Sequence, residues 1–575
     1  MEVDIAHIVE FQAGTSNSYI LTLAQEKLAK QVISKLRAEL YSSDLDAPEM
    51  NSLRREEHLR LNRFLVAASP LKRVPPEILS HIFLYTVPDF GIRFPREYHD
   101  GQFPFELRNV CSHWRKISEY TPALWNSVEI GHIDPETSIS LSDTLGSARS
   151  TIRDNFPLSI SIAARDEISA IMALGELVVP NLYRLKHLRL DIPISSLCDL
   201  IKNHRNELPS LVSLDLAITS SPDDFALLPH LTAFKEAPNL RRMAIRADPY
   251  SSRSFLAALL DIFIPSDKIK ELDISDFGDC QDLEMVEHVL QKCPNLETFY
   301  ASITEPEFQS SISILDSDKS VNLSSLRTLC LSKSRYVHST AATKMHIPWW
   351  QLQELSIGTM PLEQLSTILC QCTRVQRLAI NSTYTLEDAD IIYAYTTTRT
   401  DDILLPHLTS LKSSSAQNIL FDRLVLPALL SLNFGIHNIK LATPVILAAT
   451  RLIRRSRCTL QSLQINCTSK MPPDYHKVLH ELLAQAPEVA HFTYKFYKAP
   501  LREDMLEDIL ARTLLPRLLS LRCRGSSQEG GRILRMIEQR MKRDNERAGR
   551  IAGWGGVQRN QWAAESGDGT FRWIR

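Results

Sequence analysis

From Leu185 to Cys523 the apolar positions keep one recurring spacing, apolar-x-x-apolar-x-apolar. It reads Leu185/Leu188/Leu190, Leu211/Leu214/Leu216, Leu240/Met243/Ile245, Ile269/Leu272/Ile274, Leu296/Phe299, Leu326/Leu329/Leu331 and Leu352/Leu355/Ile357. Val375/Leu378/Ile380, Leu408/Leu411, Leu429/Leu432/Phe434, Leu460/Leu463/Ile465, Val489/Phe492/Tyr494 and Leu518/Leu521/Cys523 complete thirteen copies. The central positions fall 21 to 33 residues apart, with a mean near 28. Alternation with period two at the end of each copy predicts a short strand with one buried face. Between copies, Phe255–Ile264, Leu283–Lys292, Leu362–Cys370, Pro444–Arg455, Tyr475–Ala486 and Met505–Leu514 read as helices. Several strands are preceded by proline, at Pro209, Pro238, Pro294, Pro406, Pro427 and Pro516, where a residue with no N–H suits a strand entrance. Val128–Ile130 and Leu158–Ile162 read as earlier, degenerate strands.

A strand and a helix at this period stack into one parallel sheet lined by helices. The array is similar, loosely, to leucine-rich repeats, although it lacks their regular asparagine after the strand. The first in-between positions of each strand face the open side of such a sheet. Arg189, Asp215, Asp273, Tyr300, Lys412 and Arg522 are the candidates there for contact with a target protein.

The N-terminal pattern is purely helical. Leu21, Ala24, Leu28, Val32, Leu36 and Leu40 form a stripe from Tyr19 to Leu40. Leu53, Leu61, Phe64 and Leu65 form another over about Ser52 to Ala68. Two readings fit: a hairpin packed on the next domain, or a coiled-coil dimerisation arm, for which fewer than four clean heptads are present.

Between hairpin and array lies a different pattern. Pro75 and Pro76 suit the first turn of a helix, and Glu77 suits its positive end. Ile78/Ile82 and Leu79/Phe83 are i, i+4 pairs expected on one face, and the helix should end before Pro88. A second helix is expected after Pro104, with Leu107, Val110, Trp114 and Ile117 as its buried face. Thr121-Pro122 should end it, and Leu124-Trp125 should anchor it.

These residues resemble the F-box family. The matching stretches are Pro-Pro-Glu-Ile-Leu-x-x-Ile-Phe at 75–83, Leu-x-x-Val-Cys-x-x-Trp-Arg at 107–115 and Pro-Ala-Leu-Trp at 122–125. The segment Thr86–Phe105 is longer than the family's corresponding turn. The resemblance implies a three-helix module whose apolar face docks on a Skp-type adaptor, and through it on a cullin–RING ubiquitin ligase. It makes Leu71, Val74, Pro75, Pro76, Ile78, Leu79, Ile82, Val110 and Trp114 the adaptor-facing residues.

Composition narrows the function classes. A formal net charge of −2 over 575 residues gives no global attraction to nucleic acid or an anionic membrane. No apolar run reaches the roughly 20 residues of a membrane-spanning helix. Ten cysteines without a CxxC pair, and no secretory signal, point to reduced thiols in the cytoplasm or nucleus. Phosphate-cradling loops, the nucleophile elbow and the His-Glu-x-x-His zinc motif are all absent. No cofactor, metal site or catalytic residue is expected. Residues from 524 on carry eleven Lys/Arg and six Asp/Glu, expected as a solvated terminal helix at Ile533–Arg550 and a mobile end.

The sequence therefore predicts an α/β protein: an N-terminal helical hairpin (1–69), an F-box (70–126), a leucine-rich-repeat-like solenoid (127–523) and a tail (524–575). Two functions remain open. One is a substrate-recognition subunit of an SCF-type ubiquitin ligase. The other is a ligase-independent scaffold, in which residues 20–68 or the first repeats would cover the apolar face of the 70–126 module.

Overall fold

The computed structural model describes residues 22–42, 57–62, 64–65, 68–87, 92–94, 104–131, 141–203, 208–219, 233–247, 258–261, 267–276, 283–303, 323–333, 347–358, 362–381, 402–414, 418–468, 472, 474–496, 501–524, 561–565 and 570–574. The chain forms two compact units, Met1–Thr219 with Pro229–Leu240, and Ser220–Leu228 with Arg241–Arg575. The division falls inside the predicted repeat array. Among the described residues no helix is long and apolar enough to cross a membrane.

In the first unit, helix α1 (Leu23–Ser42) packs on the helical residues 57–62 and 64–65. Ala29, Ile33, Leu36, Leu61 and Phe64 form their shared core. The two segments therefore pack on each other. The buried stripe is rotated from the expected one: Ala29 and Ile33 are inside, and Ala24 is exposed. The arm's Glu26 forms ion pairs with Lys30 and with Arg73 of the next segment.

A short 3-10 turn (Pro70–Arg73) leads into α2 (Pro76–Tyr85), which starts and stops where its prolines predict. The expected single second helix is two, α3 (Phe105–Val110) and α4 (Ser112–Glu119). Cys111 breaks the run with extended backbone, and its Sγ accepts the N–H of Trp114 at 3.4 Å as the cap of α4. The long segment between the module's two halves has a purpose invisible to pattern reading. Its residues Ile92–Phe94 form strand β1, which pairs in parallel with β2 (Ser127–Ile130). Ile92 and Phe94 are fully buried.

Three more parallel strands continue that sheet: β3 (Leu158–Ala163), β4 (Leu185–Pro193) and β5 (Ser213–Thr219). The two degenerate strands are thus real, and β1 precedes them.

Among the described residues the main sheet of the second unit has eleven strands in parallel ladders. They are β6 (Arg242–Ala247), β7 (Glu271–Ile274), β8 (Thr298–Ile303), β9 (Thr328–Lys333), β10 (Glu354–Ile357) and β11 (Arg377–Ile380). A two-residue side pair, β12 (Ile403–Leu404) and β14 (Leu424–Val425), flanks β13 (Ser410–Ser413). The main sheet goes on through β15 (Ser431–Ile436), β16 (Ser462–Cys467), β17 (His491–Phe496) and β18 (Ser520–Arg524).

The register follows the sequence frame. Leu272, Phe299, Leu329, Leu355, Leu378, Leu411, Leu432, Leu463, Phe492 and Leu521 are paired in succession, and all are buried. The positions between buried residues line the other face.

Pro209, Pro294, Pro406, Pro427 and Pro516 each lie at the second position of a tight turn just before a strand. The N–H of the residue two beyond it donates to the carbonyl of the residue before it: Leu211 to Leu208, Leu296 to Cys293, Leu408 to Leu405, Leu429 to Leu426 and Leu518 to Leu515. Proline's fixed φ suits that position. The residues flanking each turn are buried, so the turn also seals the core.

The helices match the expected ones closely at Leu283–Lys292, Leu362–Gln371, Tyr475–Ala484 and Glu503–Ala511. Of Phe255–Ile264, residues 258–261 are described and helical. The helix Ile439–Ser456 starts earlier than Pro444 suggested. Asn438 caps it by accepting the N–H of Lys440 at 2.9 Å, and Pro444 then lies within the first two turns.

The tail differs from expectation. β19 (Gln561–Glu565) and β20 (Thr570–Ile574) form an antiparallel pair, and β20 pairs with β18. The mobile end of the sequence reading is corrected there: these strands cover the edge that β18 would otherwise leave unpaired. The expected helix Ile533–Arg550 lies outside the described residues.

Candidate functional site: an apolar helical face and two strand ladders

The nine predicted adaptor-facing residues divide by burial. Ile78 and Ile82 are 50% and 44% exposed, one turn apart on α2, and Tyr85 continues their line. Leu71, Pro75 and Pro76 are exposed, and Val74 is partly so. Leu79 is 1% exposed and belongs to the core with Phe83. The two i, i+4 pairs therefore occupy different faces, since successive helical residues are rotated by about 100°.

Val110, expected inside, is 57% exposed at the end of α3. The break at Cys111 is the reason: it ends the 3, 4, 3 spacing on which the buried assignment rested. Trp114 is half-buried and packs on Phe83, with ring centroids 4.8 Å apart. His113 is also half-buried, and its Nε2 is enclosed with no hydrogen-bond partner among the described residues.

Interior contacts brace the helices that carry this face. Trp125 donates from Nε1 to the Ser118 carbonyl at 2.7 Å and stacks edge-on against Phe105. Thr121 donates to the Ile117 carbonyl at 2.7 Å. Arg108 and Glu119 pair at 3.1 Å, tying α3 to α4. Leu71, Ile78, Ile82, Val110, Tyr85 and Tyr120 are then apolar or aromatic side chains displayed on a braced framework. Water-facing groups of this kind mark an interaction site when they cluster on one small module. Sequence reasoning missed Tyr85 and Tyr120, although each lies three residues beyond the last member of a stripe read from sequence, Ile82 and Ile117, and that spacing is the signal that could have found them.

The six predicted target-facing residues all lie on the face between buried positions. In the first unit Arg189 and Asp215 are register partners and form an ion pair at 3.4 Å. In the second unit Asp273 and Tyr300 are register partners. Asp273 is committed locally, accepting the Ser275 N–H at 2.9 Å and its hydroxyl at 2.6 Å. Burial, then the neighbouring Glu271 carboxylate, pushes the Tyr300 phenol up. Lys412 is exposed and Arg522 half-exposed, on the C-terminal strands.

No family model matches this chain, and no curated protein matches it. Among solved structures it is similar to the yeast Rad7 and Elc1 complex, at 15% identity and a TM-score of 0.33, over 64% of this chain and 86% of that chain. A likeness at that level carries no argument for fold or function.

Proposed function

We propose that this chain is a substrate-recognition subunit of an SCF-type ubiquitin ligase. The observation that carries the reading is the exposed line Ile78/Ile82 on a helix that begins Pro-Pro-Glu, with Leu71 and Val110 also uncovered. A scaffold's internal cap would have these side chains inside. Exposed aliphatic residues on a braced module suit the helix-in-groove mode of docking. In this reading the Skp-type adaptor takes that face and brings the cullin, and a target protein takes the repeat strands. The chain works in the cytoplasm or nucleus. It supplies no catalytic group, and acts by raising the effective concentration of the target near the ubiquitin-transfer machinery.

Co-expression with a Skp-type adaptor tests it. Wild-type chain is expected to co-purify with the adaptor, and the Pro76→Ala/Ile82→Asp variant to lose it. Absence of wild-type binding, or full binding by the variant, sinks the proposal.

A further inference from the structure

The outward face of the second unit's sheet changes electrostatic character along its length. On the N-terminal strands, cations meet carboxylates on the next strand: Arg242 pairs with Glu271 at 2.8 Å, and Arg377 pairs with Glu354. From β13 to β18 no outward strand position is Asp or Glu. Lys412, Lys495 and Arg522 lie on that stretch with no carboxylate pairing among the described residues. The whole chain has a formal charge of −2, so this strip is a local arrangement and not a consequence of composition.

Register fixes its dimensions. Lys412, Asn433, Gln464, Thr493 and Arg522 are paired in succession across the five strands. Four steps of about 4.8 Å separate Lys412 from Arg522 by about 19 Å. Lys495 is one outward position along from Thr493, diagonal to Arg522, and its register partner on β18 is Arg524. Between the cationic ends runs a ladder of side-chain amides. Gln464 donates to Asn466 and Asn466 donates to Asn433, both at 3.0 Å. Amides offer both donors and acceptors, which is what a peptide backbone requires.

We propose that the β13–β18 face binds an extended acidic polypeptide segment crossing the strands. At about 3.3 Å per residue, roughly six residues span the strip. Carboxylates at one end meet Lys412 and those at the other meet Lys495 and Arg522, with the neutral middle over the amide ladder. Carboxylates suit the Lys412 end better than phosphates do, because Lys412 stands there as a single charge, with Ala379 and Asn433 as its register partners and no arginine fork beside it. Polypeptide fits better than single-stranded nucleic acid, because none of the described outward strand positions from β13 to β18 is Phe, Tyr or Trp to stack a base. The inference deepens the target-binding half of the proposed function and is independent of the adaptor half.

The test is fluorescence anisotropy of the full chain with a labelled peptide carrying two glutamates at each end of a four-residue Ser/Gly centre. Companion probes are its lysine counterpart, its phosphoserine counterpart and an oligothymidylate. The glutamate peptide is expected to bind, the lysine peptide not to, and affinity to fall as salt rises. K412E/R522E should weaken binding at least tenfold, and K412Q/R522Q by a smaller factor, with unfolding midpoints like wild type. Adaptor co-purification should be unchanged in both variants, which separates failure here from failure of the ligase reading. The inference is overturned if the glutamate peptide does not bind, if K412E/R522E binds it as wild type does, or if the phosphoserine peptide or the oligonucleotide binds tenfold more tightly.

Discussion

Neighbouring residues of α2 have opposite duties, and the difference is measurable. Leu79 is core, so Leu79→Ala should cost about 2–5 kcal/mol in urea unfolding. Ile82 is exposed, so Ile82→Asp should shift stability by no more than about 0.5 kcal/mol while abolishing adaptor capture. Equal destabilisation by both would remove the face assigned to docking. At Asp166 the cap of the helix Glu167–Ala173 makes a pH prediction. The N–H of Ser169 donates to its carboxylate at 2.8 Å, and that bond holds the group below the usual carboxylate range. A depressed folded-state pKa means the contribution is complete above the ordinary aspartate pKa and fades as pH falls through the lower folded value. Asp166→Ala should therefore cost about 1 kcal/mol at pH 7 and almost nothing once the carboxylate is protonated in both states. An equal loss at both pH values would contradict the cap. The choice between Ile78 and Leu79 was not legible in the sequence, because both sit in i, i+4 pairs and only the neighbours decide which pair is covered.

Elements show where repetition ends and local fitting begins. Strand β1 comes from a segment with no repeat character, and its two large side chains complete the edge of the first unit's core. Phe94→Ala should destabilise by about 3–5 kcal/mol, measured by chemical denaturation. A loss under about 1 kcal/mol would mean that β1 is an ornament of the sheet. Gly435, inside β15, has a different constraint. A Cβ there would lie 2.0 Å from the Ser414 carbonyl oxygen, which is backbone and has little room to yield. Gly435→Ala should cost about 1–3 kcal/mol or more, read from the urea midpoint. The asparagines of the turns also act between repeats: Asn239 donates to the Pro209 carbonyl at 2.7 Å and Asn295 to the Asp267 carbonyl at 2.8 Å. Sequence reading sought the asparagine after the strand, and here it lies in the turn before.

At the scale of the molecule, burial separates the thiols. Desolvation pushes the Cys293, Cys372, Cys467 and Cys523 thiols up to about 12, whereas Cys370 is exposed. An alkylating reagent at pH 8 should label Cys370 in the native protein and those four only in denaturant, as read by peptide mass spectrometry. Rapid native labelling of the four would contradict the packed repeats. The sequence by itself determined the strand frame, the helices between strands and the start of α2. Those features rest on periodicity and proline chemistry, which act over a few residues. Tertiary structure alone decided that Thr86–Phe105 contributes a strand, that Cys111 divides a helix, and that the tail pairs with β18. It also decided that Lys412, Lys495 and Arg522 share a strip whose described outward strand positions hold no carboxylate. Each of these depends on which distant segment lies alongside, a quantity set by packing across the whole unit and absent from any local pattern.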